Sequence, residues 1–155
     1  MIPIPGFPDY YVDGSDIINI KFGKRRVLKQ TINNHGYKNV GLCVSGKQTT
    51  CKVHRLIAQA YLSDYSEDLD VDHEDRCKTN NDISNLRMAT DEENCQNKDC
   101  TGYYYHKPSG KYLAQIMVNG KREYIGRYKT EEEAREAYIA EKLKLHPFYT
   151  HQENT

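Results

Sequence analysis

Hydrophobic and polar residues change their spacing several times along this chain, and each change marks an element. The opening Ile2-Pro3-Ile4-Pro5-Gly6-Phe7-Pro8 cannot be helical, because its three prolines fix φ and remove amide donors. Tyr10-Tyr11-Val12 and Ile17-Ile18-Asn19-Ile20 read as short strands on either side of an Asp13-Gly14 turn. A basic stretch, Lys24-Arg25-Arg26 with Lys29, comes next. Gly36 to Val44 alternates with a period of two, and Ser45-Gly46-Lys47 turns it back into Thr49 to Lys52. The period then lengthens: Val53, Leu56, Ile57, Ala60 and Tyr61 share one face of a helix over Val53 to Leu62.

Leu69 to His73 is again strand-like, residues 74–84 form a loop rich in Asp, Asn, Thr and Ser, and Leu86 to Ala89 is a second strand. Thr90 and Glu93 have the spacing of a capping box, so a helix starts there with Asn94 in its first turn or so. A linker near Asp99 to Gly102 precedes three more strands, Tyr103 to His106, Lys111 to Val118 and Glu123 to Tyr128. Asn119-Gly120 is a strong hairpin signal between the last two. Thr130 and Glu133 form a second capping box, opening a helix to Leu145 with Ala134, Ala137, Tyr138 and Leu145 facing inward.

The whole chain has 155 residues and a formal net charge of zero. Its length suits one ordinary domain or two small ones. The zero conceals a segregation: residues 1–60 carry nine Lys/Arg against three Asp, residues 61–100 four basic against twelve acidic, and residues 101–155 nine basic against seven acidic. A negative centre between positive flanks fits a metal-binding core with arms that grip a polyanion. Five cysteines form no even framework and no signal peptide precedes them, which points to a reducing compartment. Cys43-x7-Cys51 and Cys95-x4-Cys100 are poor zinc pairs, so no structural zinc is expected. No apolar run approaches the ~20 residues of a membrane span. The expectation is a soluble protein of the cytoplasm, with no membrane partner.

The chemistry concentrates at Val71-Asp72-His73, followed by Asn85 and Asn94. That spacing can close into a strand–loop–strand–helix unit holding one divalent metal beside one general base. Phosphodiester hydrolysis needs an activated water, charge relief on the phosphate and help for the departing oxygen. A Mg²⁺-type ion supplies the last two and prefers hard oxygen donors, for which an Asp carboxylate and an Asn carbonyl are suited. A neutral His suits the water. Neighbours on a strand point to opposite faces, so this reading requires the strand to end at residue 73.

Val71-Asp72-His73, Lys78-Thr79-Asn80-Asn81, Asn85-Leu86-Arg87 and Glu93-Asn94 resemble the His-Asn-His (HNH) endonuclease family with its ββα-metal fold, especially the phage and homing branch in which the last His is Asn. The resemblance implies Asp72 and Asn94 as metal ligands and His73 as general base. It implies Asn85 as the residue that braces the loop and orients the base, and leaves Asn81 as either a turn former or a direct participant. Ile4 to Pro8, Gly36-Tyr37 and Val53-His54-Arg55-Leu56 to Tyr61 resemble the nuclease-associated modular domain that precedes such cores. His54 and Arg55 head a helix whose dipole favours phosphate, and serve equally as a cap pair packed on the core.

From Gly102 to about Tyr149 the chain resembles the ethylene-response-factor (APETALA-type) DNA-binding domain, in Tyr105 to Tyr112, Asn119-Gly120-Lys121-Arg122, Ile125-Gly126-Arg127-Tyr128 and Thr130 to Ala134. That family implies a three-stranded sheet entering the major groove, supported by a helix. Residues 103–128 carry five basic side chains against one acid, in keeping with it. Lys111, Gln115, Lys121, Arg122 and Arg127, with Tyr112 and Tyr124 alongside, are the expected DNA face. Lys24, Arg25 and Arg26 are expected phosphate contacts.

The expected fold is thus α+β: a small β-rich N-terminal module, a ββα-metal nuclease core, and a three-stranded antiparallel sheet packed on one helix. Residues 1–98 hold the first two, with the core at about 53–98, and residues 102–149 the third. The expected function is a Mg²⁺- (or Mn²⁺-) dependent endonuclease acting on double-stranded DNA, of homing or phage type. The rival is a DNA-binding protein with a spent nuclease core. Monomer and homodimer both stand open: one catalytic unit nicks, and a pair on a palindrome breaks both strands.

Overall fold

The computed structural model describes residues 1–151, and the chain divides into two compact units, Met1–Glu92 and Glu93–Thr155. The first contains two small antiparallel sheets. One is built from β1 (Ile2–Pro3), β2 (Tyr10–Asp13), β3 (Asp16–Lys21) and β4 (Lys24–Val27) in that order, the other from β5 (Thr31–Ile32), β6 (Lys38–Val44) and β7 (Lys47–Lys52). Helix α1 (Val53–Tyr61) follows directly, then β8 (Asp70–His73) and β9 (Leu86–Ala89), paired antiparallel.

Alternation explains which faces are covered. Val12 and Ile17 from the first sheet, Val40 and Leu42 from the second, Val71, Leu86 and Met88 from the β8–β9 hairpin, and Val53, Leu56 and Ile57 of α1 form one buried cluster. The helix is the common partner. Each such aliphatic side chain removed from water contributes roughly 1.5–3 kcal/mol. The leading sheets and the β8–β9 hairpin therefore share a single core.

In the second unit β10 (Tyr103–His106), β11 (Lys111–Val118) and β12 (Lys121–Tyr128) form a meander covered on one side by α3 (Glu131–Leu145). Ala114, Ile116, Ala134 and Tyr138 are buried. Thr130 caps α3 with the reciprocal Glu133 bond expected of its capping box. Gly102 (φ +56) is required, because a Cβ there would overlap the Tyr138 ring.

Three details differ from the sequence reading. Lys24 to Val27 is a strand, all of whose residues are exposed. The inward stripe of α3 ends on Lys142, 2% exposed, while Leu145 is exposed. The Lys142 ammonium is held inside the fold, with Nζ 4.0 Å from the Tyr149 ring centroid and donating to the Lys98 carbonyl at 2.6 Å. Finally, the division into units falls within α2 (Asp91–Gln96), ahead of the expected linker at 99–102. The reason is local: the Phe148 amide donates to Gln96 Oε1 and the Thr150 amide to Asn97 Oδ1, tying the chain after α2 to the C-terminal segment. Among the described residues no helix is long and apolar enough to cross a membrane.

Candidate active site

Strand β8 ends at His73, as the catalytic reading requires. Asp72 stands opposite Arg87 and His73 opposite Leu86 in the β8–β9 register. The Glu74 amide makes one more bond, to the Asn85 carbonyl, and the Arg76 amide then turns back to the His73 carbonyl. Asp72 and His73 are 6% and 4% exposed, and they keep different neighbours. One oxygen of Asp72, Oδ2, accepts from both Nε (3.0 Å) and Nη2 (2.8 Å) of Arg87, which fixes the carboxylate plane. His73 Nε2 lies 3.0 Å from Asn81 Oδ1, and its ring packs edge-on against His54 with centroids 5.1 Å apart.

Asn81 is 1% exposed, so this hydrogen bond lies out of solvent. A carbonyl oxygen only accepts, so with its proton on Nε2 the ring donates to Asn81 and leaves Nδ1 as the accepting nitrogen. Asn85 has other duties. Its Nδ2 donates to Asp75 Oδ1 and to the Asn80 carbonyl, and its Oδ1 accepts from the Asp75 amide. Asn80 Nδ2 closes the ring of bonds on Asp75 Oδ2. Asn85 therefore braces the 74–85 loop, while Asn81 hydrogen-bonds the His73 imidazole. Sequence reasoning had left Asn81 undecided. The doublet Asn80-Asn81 splits its work, one side chain to the loop and one to the imidazole. Burial pushes the Asp75 carboxyl up, but bonds from Asn80, the Cys77 amide and Asn85 outweigh it and hold it below its ordinary value.

His54 is placed as a core residue, 3% exposed, with its ring 4.9 Å from Tyr37. An exposed phosphate contact at that position is not what the structure holds. Burial first, then Coulombic repulsion from His73, Lys52 and Arg55, pushes its pKa down from 6.5 to about 3, so it is a neutral aromatic wall beside His73. The unfolded chain binds a proton at His54 as pH falls below 6.5, and the folded chain does not until about 3. Stability is thus fully present above 6.5 and is lost by roughly 1.4 kcal/mol per pH unit between those values. Chemical denaturation at pH 7 and pH 5 should show the loss, and His54→Phe should flatten it; an unchanged slope would refute the burial of a neutral His54.

Arg55 likewise turns inward. Its guanidinium donates to the carbonyls of Leu69 and Glu67 and to the Tyr65 hydroxyl, pinning the segment that leads into β8. It is a structural bracket, in place of the expected phosphate contact. Lys24, Arg25 and Arg26 are exposed on β4, with Arg25 paired to Asp13 at 2.8 Å. In the C-terminal meander the register puts Lys111, Gln115, Arg122, Tyr124 and Arg127 on the face away from α3. Lys121 pairs with Val118, and Tyr112 with Tyr105 and Tyr128, on the alternate face. The expected DNA face thus keeps five of its side chains together and loses Lys121 and Tyr112.

Asn94 lies in α2, the fourth residue of that helix. The donors that the motif offers a metal are therefore one carboxylate, on Asp72, and one carboxamide, on Asn94. Each is a hard oxygen donor of the kind a divalent ion takes, and the two residues belong to different units of the chain. Among the described residues no group of three His, Cys, Asp or Glu side chains gathers as a metal cage.

Comparison with known proteins agrees with this layout. The HNH endonuclease family profile (HNH_3) matches residues 51–96, from the end of β7 through α2. DNA endonuclease I-HmuI of Bacillus phage SP01 is 39% identical over 101 residues, covering 64% of this chain and 57% of that protein. H-N-H endonuclease F-TflII of Escherichia phage T5 is 30% identical over 93 residues, covering 58% of this chain and 47% of the relative. The chain thus spans about half the length of the curated relatives it matches. A solved structure concerned with DNA binding and cleavage by the HNH homing endonuclease I-HmuI superposes with a TM-score of 0.56 at 31% identity, over 86% of this chain and 79% of that one. An HNH nuclease implies a divalent metal. With the motif, the fold and the sequence all shared with that nuclease, this chain belongs to the HNH homing endonuclease family.

Proposed function

We propose that this chain hydrolyses phosphodiester bonds of double-stranded DNA with Mg²⁺ or Mn²⁺. The observation that carries the reading is a strand ending on His73 inside the HNH-matched segment, with that imidazole held at Nε2 by a buried Asn81. His73 takes the proton of the attacking water at Nδ1. Asp72, set by Arg87, and Asn94 are the residues that would hold the metal. When bound, a hard divalent cation supplies charge relief on the phosphate and the departing oxygen. Asn85 and Asp75 keep the loop after His73 in one shape, so the base does not have to be ordered at the moment of reaction.

The finer assignments belong to the same proposal. The leading sheets act as a nuclease-associated module, and the meander with α3 acts as an ethylene-response-factor-like DNA clamp. Its outward face combines Arg122, Arg127 and Lys111 with the half-exposed Tyr104 and Tyr124, a mixture suited to phosphates and base edges. The setting is the cytoplasm of the host cell.

Incubation with supercoiled plasmid tests the reading. The full chain should nick or linearise it with Mg²⁺ and not with EDTA, and an intact plasmid under both conditions would sink the proposal. The Asn81 contact makes a separate prediction. Asn81→Leu, close in size, should lower single-turnover cleavage by about 10–100-fold, since orientation of a catalytic group is worth that much. Nitrogen-15 spectra should show the His73 proton leaving Nε2 for a mixture of tautomers. A parental spectrum would rule Asn81 out as the positioning residue.

A further inference from the structure

The β3–β4 hairpin carries a feature that neither the core nor the cleavage chemistry uses. Lys21 and Lys24 face each other across a two-residue loop, Phe22-Gly23, in which both φ angles are positive (52° and 71°). Two other hairpins of this chain have the same pattern, Ser45-Gly46 (51° and 79°) and Asn119-Gly120 (50° and 73°). Such tight loops favour Asn, Asp or Gly at the first position, because an L side chain pays sterically for positive φ. Two of the three loops place a small polar residue there. The third places a phenylalanine, and a bulky residue in this region is an outlier.

Burial in the core does not recover that penalty. Phe22 is 92% exposed, the highest value among the exposed large hydrophobic residues. Strain held at an exposed position points outward, to a partner. The surroundings say which kind. Lys21 Nζ lies 5.4 Å from the Phe22 ring centroid, and every residue of β4, Lys24-Arg25-Arg26-Val27, is exposed. Of these cations Arg25 is drawn to Asp13, while Lys21, Lys24 and Arg26 flank the tip. A partner that offers repeated anions beside flat, stackable faces is nucleic acid. Apolar side chains that enter duplex DNA partly unstack a base step and are held there by flanking cations on the phosphates.

We propose that the β3–β4 tip is a DNA wedge, in which Phe22 enters a base step while Lys21, Lys24 and Arg26 grip the phosphates on either side. This rests on the DNA reading above and adds to it a distortion of the duplex by residues that take no part in the cleavage chemistry. Its consequence is preference for sites with an easily unstacked step, such as a pyrimidine–purine step, at a fixed spacing from the cut.

The test uses the full chain in EDTA, with the duplex it retains from a random-sequence pool, relabelled with 2-aminopurine along its length. Phe22→Asn restores the residue this turn prefers, and Phe22→Gly is the second variant; both should melt at or above the parent temperature. The parent should raise 2-aminopurine fluorescence at one step. Both variants should abolish that rise and bind about tenfold or more weakly. Their dependence of log affinity on log salt should match the parent, whereas Lys24→Ala should reduce the slope by about one. Parental affinity in the variants, or no fluorescence change with the parent, overturns the wedge while leaving the nuclease reading intact. Anionic vesicles that bind the parent and lose both variants, with duplex affinity unchanged, overturn it in favour of a lipid surface. A parent that retains no duplex at all removes the DNA reading together with the wedge.

Discussion

His73→Ala should lower single-turnover cleavage by about 10²–10⁴-fold, the usual contribution of a positioned general base, with affinity for the same DNA close to that of the parent. The expectation follows from where the imidazole sits. It closes strand β8, is 4% exposed, is bonded through Nε2 to Asn81, and is walled by His54 and Tyr37. A group so enclosed offers little surface to DNA, so its removal separates the proposed proton transfer from binding. Deleting a buried ring also leaves a cavity, so a thermal melt must accompany the kinetics to confirm that the variant is folded. Added imidazole should restore part of the rate by entering that cavity. A folded His73→Ala that cuts at the parental rate would remove His73 from the chemistry.

The second large effect belongs to Asp72, and it splits by substitution. Asp72→Asn keeps the shape and still accepts from Arg87, but loses the charge a hard cation requires. Mn²⁺ binding, followed by its paramagnetic resonance signal, should fall to background while the fold persists. Asp72→Ala goes further, because Arg87 is left without the carboxylate that accepts two of its N–H groups. A half-buried guanidinium stripped of its acceptor costs roughly 1.5–3 kcal/mol. Combining Asp72→Ala with Arg87→Met should recover much of that stability without recovering Mn²⁺ binding. If Asp72→Asn bound Mn²⁺ like the parent, the metal would have to be held elsewhere.

The parts of this molecule that were legible in its sequence are those in which one simple physical signal acts alone. Lys111 to Val118 alternates, and Asn119-Gly120 sets the positive φ pair of its hairpin; both stand where the pattern put them. The amphipathic stripe Val53, Leu56, Ile57 gave α1 to within a residue at its end. Strand β4 was invisible because Lys24, Arg25, Arg26 and Val27 are all exposed, so no alternation of burial is written into them. The sequence leaves His54 open between a phosphate contact and a core residue, and gives no sign that Lys142 is buried. Polar residues are assigned to solvent by default, yet one is packed as an aromatic plate and the other sets its ammonium over two tyrosine rings. At the candidate site, the end of β8 at His73 is readable from the polar run that follows it. The partner of the imidazole is not, since two consecutive asparagines in a loop look alike until the chain closes.

The ties that run from residues 142–150 back to residues 96–98 carry an implication for how the protein can be dissected. Asn94 sits one helical turn upstream of those anchor points, so the rigidity of its helix is borrowed from the far end of the chain. Severing the polypeptide at residues 99–102 would therefore strip the segment after α2 of the ties that hold it, and the helix that carries Asn94 would fray from that end.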